Sequence, residues 1–145
     1  VIEPLLTRTL QAGHAILWMP DRRIIPNSHN AFVVYGPNLL KKNPDAGRRF
    51  MVAYLKAVRQ YNQGKTERNV EIIAKHTELE PEIGAAQGGL LAVFRDDGQI
   101  NVQSVLDFQA WAVEKGYLDS PVTEDQLWDP SFVEYTNQVL GAPSQ

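Results

Sequence analysis

The residues best equipped for chemistry gather in one short run, Asn27-Ser28-His29-Asn30, which places amide, hydroxyl and imidazole groups directly ahead of an apolar stretch. Such a cluster can hold a small polar ligand, and it can equally be a set of turn formers bonding their own backbone. Glu3, beside Pro4 at a helix entrance, is a further candidate. Its carboxylate can accept from a ligand amine or hydroxyl and the free N–H groups beside it can meet an anion, or the charge can simply favour the helix dipole. Trp18 ends an apolar run with Ile16 and Leu17, where an indole can stack on a ligand or fill a core. The ligand-binding candidates are therefore Glu3, Trp18, Asn27, His29 and Asn30.

Other chemistries lack their residues. Asp96-Asp97-Gly98 followed by Ile100 has the end of a calcium loop, but Val93 and Arg95 stand where early oxygen ligands belong and Ser104 where the bidentate glutamate belongs. His14, His29 and His76 show no ligand spacing, so no metal and no cofactor is assigned. The chain contains no cysteine, which removes disulfides, thiolate metal sites and a cysteine nucleophile. There is no glycine-rich phosphate loop and no Gly-x-Ser-x-Gly elbow. With 14 basic and 17 acidic residues, a net charge of −3 argues against nucleic acid as the main partner. Lys41, Lys42, Arg48 and Arg49 read as a solvated helix surface.

The elements that must position these groups follow from pattern. The 145 residues, 43% hydrophobic, suffice for a domain with a core, and no apolar run approaches the ~20 residues that span a bilayer. Ala31 to Tyr35 is an unbroken apolar run, read as a buried strand, and His14 to Met19 reads as another. Asn43 caps a helix from Pro44 to about Asn62 whose Phe50, Ala53, Tyr54, Ala57, Val58 and Tyr61 share one face. A short helix from Glu3-Pro4 ends at Gly13, and Thr66 caps a helix buried through Val70, Ile73 and Ala74. Pro81 opens a short helix to Ala86, and Leu90 to Phe94 is a strand or an apolar anchor. Asn101 caps a helix burying Val102, Val105, Leu106, Gln109, Ala112 and Val113 up to Gly116. Thr123 with Gln126 forms a capping box, and Asp129-Pro130 opens the last helix. Two strands with about six helices are too few strands for a self-sufficient α/β sheet, so the expectation is that others lie upstream of Val1.

The order of these pieces carries a resemblance. Glu3-Pro4 with Gly13, Leu39-Leu40-Lys41-Lys42-Asn43-Pro44, the Phe50, Ala53, Ala57 helix, Asp97-Gly98-Gln99-Ile100-Asn101, Lys115-Gly116-Tyr117-Leu118 and Leu127-Trp128-Asp129-Pro130-Ser131-Phe132 follow one another. From Glu3 onward the chain resembles the C-terminal portion of ABC-transporter substrate-binding proteins of the nitrate, sulfonate and taurine type. The resemblance implies a partial α/β fold of the type II periplasmic-binding-protein kind. Residues 1–36 would be the end of a second lobe and the crossing strand, and residues 37–145 a helical part completing the first lobe. It further implies a non-enzymatic receptor, periplasmic or extracellular and membrane-associated. That receptor would close two lobes around a small, anionic or heterocyclic ligand and present it to a membrane permease. The pyrimidine synthase of thiamin biosynthesis is similar in architecture but carries a cysteine-rich motif that this chain lacks. A third reading is a helical protein-interaction module, which requires an exposed apolar face. Self-association through the strands is expected if nothing else covers them.

Overall fold

Asn43 starts the helix on which the rest of the molecule is assembled. Its side-chain oxygen accepts from the Ala46 amide at 3.2 Å, Pro44 fills the first position, and α3 runs Pro44–Tyr61. The computed structural model describes residues 5–29, 31–64, 66–77 and 94–141. Ahead of α3 lie α1 (Leu5–Gln11), the single turn α2 (Asp21–Ile24) and a π-helical turn at Asn38–Lys42. After it come α4 (Glu67–Thr77), α5 (Val102–Glu114), the short α6 (Glu124–Leu127) and α7 (Ser131–Leu140).

The expected α/β, periplasmic-binding-protein-like fold is not what forms: the described residues contain helices and no strand. His14–Met19 and Ala31–Tyr35, expected as two neighbouring strands, have no regular structure and join no ladder. An apolar run is a strand only when a partner takes up its N–H and C=O groups, and the described chain supplies none. Apart from Tyr35, which packs on the core, side chains there stay in the open, with Ile16 89%, Trp18 82% and Val34 84% exposed. The expected helix at Pro81 and the apolar anchor from Leu90 fall outside the described residues, apart from Phe94.

The core is the crossing of α3 and α7. Met51, Leu55 and Val58 meet Phe132 and Val133, with Tyr35, Tyr54, Trp128 and Leu140 packed around them. The expected face of α3 is turned: Gly47, Met51, Leu55 and Val58 are its buried residues, while Phe50 is 48% exposed and Ala53 and Ala57 lie outward. Gly47 explains the rotation. A Cβ there would lie 2.8 Å from Phe132 Cε1 and 3.1 Å from the Tyr35 ring, so only glycine lets α7 and Tyr35 approach at this point. The Tyr35 hydroxyl then donates to the Gly47 carbonyl at 2.7 Å. Phe50 and Tyr54 stack beside the core, their ring centres 6.4 Å apart.

Two polar side chains tie the remaining pieces to this crossing. Asn69 of α4, buried, donates to the carbonyls of Gln60 at 2.8 Å and Gly64 at 2.7 Å, satisfying groups that the end of α3 leaves free. Arg59 donates to the carbonyls of Asp96 at 3.1 Å, Leu140 at 3.4 Å and Gly141 at 3.0 Å, and to the Asn137 side chain at 3.0 Å. A guanidinium at the carbonyl end of α7 also meets the negative end of that helix's dipole. The bound turn carries Gly98, whose φ of +72° favours glycine, close to Leu55 and Val133.

Candidate functional site

Asn27 and His29 of the polar cluster are brought to the entrance of α5. Asn101 caps that helix, its side-chain oxygen accepting from the Ser104 amide at 3.3 Å. Its own backbone N–H donates to His29 Nε2 at 2.6 Å and its side-chain amide donates to the Asn27 carbonyl at 3.0 Å. Asn27 adopts φ +61°, a left-handed conformation that asparagine tolerates better than most side chains. The imidazole is half-buried, with the Phe32 ring 5.5 Å from its own. His29 therefore presents Nε2 to this N–H as an acceptor.

Of the expected ligand residues, the structure unites Asn27 and His29 and leaves Trp18 exposed on the unpaired segment before α2. Glu3 and Asn30 lie outside the described residues. The result is an open polar corner at a helix entrance, entered and left by exposed apolar segments. Its partner Asn101 was legible as a cap but not as the anchor of residues 27–29, because the contacts span 72 and 74 positions of sequence. Among the described residues no cluster of histidine, aspartate and glutamate could hold a metal, and no helix is long and apolar enough to cross a membrane.

Elsewhere, the outer side of α5 carries an aromatic row that the sequence reading passed over. Phe108 and Trp111 have ring centres 5.4 Å apart, Trp111 and Tyr117 5.6 Å, and all three are exposed. Its inner side follows expectation: Gln109 and Ala112 are buried, and the Gln109 side chain exchanges bonds with the Val122 backbone. Tyr117 folds back onto the helix, its N–H donating to the Ala112 carbonyl at 2.8 Å after Gly116 at φ +73°. The other electrostatic feature is the turn before Asn101. There the hydrogen bond from Arg95 holds the Asp97 carboxyl below its ordinary range, and Asp97 in turn raises the Arg95 guanidinium. Burial raises the Tyr35 phenol. Compared with known proteins, the chain matches no family model, no curated protein and no solved structure.

Proposed function

We propose that this chain is part of the solute-binding receptor of an ABC importer resembling the nitrate, sulfonate and taurine type, and that it works outside the membrane with a permease as its partner. The motif order from Glu3 to Phe132 supports the reading. The observation that carries it is the polar corner of Asn27 and His29 at the entrance of α5, in a chain whose Ile16, Trp18 and Val34 are exposed. Polar groups at a helix entrance and an exposed indole are groups suited to holding a small molecule against an opposing body. A ligand that touches both bodies favours their closed arrangement by its differential affinity.

The test is thermal unfolding of the natural polypeptide with taurine, alkylsulfonates, nitrate and pyrimidines. At least one of these should raise the transition temperature, and Trp18→Ala should weaken that ligand about tenfold or more, the loss expected for one stacking contact of ~1–2 kcal/mol. No shift with any compound, or an affinity unchanged by Trp18→Ala, would defeat the proposal. The exposed Phe108, Trp111 and Tyr117 row favours a second reading, a helical module that docks on a protein partner. In that case the ligand panel is inert, and Trp111→Ala abolishes the partner contact without affecting folding.

A further inference from the structure

The hydrogen bond between the Asn101 amide and His29 Nε2 joins two parts of the chain through an acceptor that exists in only one protonation state. A neutral imidazole can accept there. An imidazolium has N–H groups at both positions, so it would face the Asn101 donor with a donor of its own. It would also place a positive charge at the entrance of α5, where the free N–H groups of a 13-residue helix already carry the positive end of the dipole. Both effects act in the same direction.

We propose that His29 is a proton-sensitive latch: neutral, it holds itself and Asn27 to the start of α5, and protonated, it lets go. Among the described residues its hydrogen-bond and ring partners are Asn101 and Phe32, both uncharged. Among the described residues, no charged side chain on the adjoining pieces forms an ion pair with it. Asp97 is bound by Arg95, with Asp96 beside them in the same turn, and Asp107, further along α5, accepts from Gln103 at 2.7 Å. Asp21 and Arg23 belong to α2, and no ion pair links either of them to the imidazole. Once His29 lets go, the bond from the Asn101 side chain to the Asn27 carbonyl must hold the segment alone, against an asparagine in a left-handed conformation. Phe32 is then free to move with His29, while Tyr35, bonded to the Gly47 carbonyl, keeps the far end of the segment on the α3–α7 core, which stays folded.

This inference does not depend on the receptor reading, and its test involves no solute. Nuclear magnetic resonance of the full chain, with no ligand added, would follow the Asn101 amide and the His29 ring from pH 8 to pH 5. The Asn101 amide proton should titrate in step with the His29 ring protons, and its exchange protection should fall about five- to tenfold, the loss expected for one hydrogen bond. Core amides of α3 should stay protected. In His29→Gln the side-chain oxygen can accept at every pH, so the Asn101 amide should stay protected and cease to titrate. An Asn101 amide that ignores the His29 titration in the natural chain would overturn the proposal without recourse to any variant. So would a titration that persists in His29→Gln, since it would belong to His14 or His76.

Discussion

Arg59 shows how much one side chain can carry when its donors are all used. A charged residue of α3, it joins the Asp96 turn, Asn137 and the end of α7. Arg59→Met should therefore cost about 2–4 kcal/mol, because carbonyls that met a charged donor would face an apolar tip. Arg59→Lys should recover less than half of that, since an ammonium cannot span the same fork of acceptors. Urea unfolding midpoints of the three proteins decide it, and equal midpoints for wild type and Arg59→Met would contradict the account. Asp97 gives the matching pH prediction. Its folded pKa is depressed, first of all by the hydrogen bond from Arg95, so its contribution is complete above the unfolded carboxyl value of about 3.9 and is lost as pH falls through the folded value. The pair is partly exposed, which keeps the effect small. Between pH 6 and pH 3, Asp97→Asn should lose less stability than wild type. A parallel loss in the two would show that the turn does not depend on the carboxylate.

At the scale of elements, what the sequence made legible was whatever is decided within a few residues. Asn43 with Pro44, Asn101, Thr66, Gly13 and Gly116 each start or stop a helix where expected, because a cap needs only its own next turn. Asn43→Ala should accordingly cost ~1 kcal/mol, read as a lower unfolding midpoint, and an unchanged midpoint would mean that Pro44 alone sets the start of α3. Illegible were the choices that depend on a distant partner. Which side of α3 is buried is settled by Phe132 closing on Gly47, 85 positions away, and not by the periodicity of its apolar residues. Whether an apolar run becomes a strand is settled by a ladder partner, and the described residues provide none for His14–Met19 or Ala31–Tyr35. The candidate site divides along the same line. The polar character of Asn27 and His29 was visible, but the bonds that hold them to Asn101 were not.

For the molecule as a whole, the tension lies between a small core and a large apolar exterior. The α3–α7 crossing buries five hydrophobic side chains together, while Ile16, Trp18, Ile24, Ile25, Val34 and the Phe108–Trp111–Tyr117 row remain exposed. Burial of apolar area drives association as it drives folding, at about 25 cal/mol per Å² before the cost of ordering two bodies. Studied by itself in solution, the chain has only further copies of itself to supply that burial. Concentrated samples should therefore show by light scattering a mass that rises with concentration, and added salt should not reverse it, because the contact is apolar rather than ionic. Ile16 and Val34 are the place to break it, since neither side chain takes part in the core and neither segment carries a backbone ladder. Ile16→Lys with Val34→Lys should hold the chain monomeric while its helical circular dichroism and urea midpoint stay as they were. If the natural chain is already monomeric at every concentration, those segments need no cover, and the opposing body invoked for ligand capture loses its physical motive. If the double variant still associates, the contact belongs instead to the aromatic row on α5, and Trp111→Lys should dissolve it.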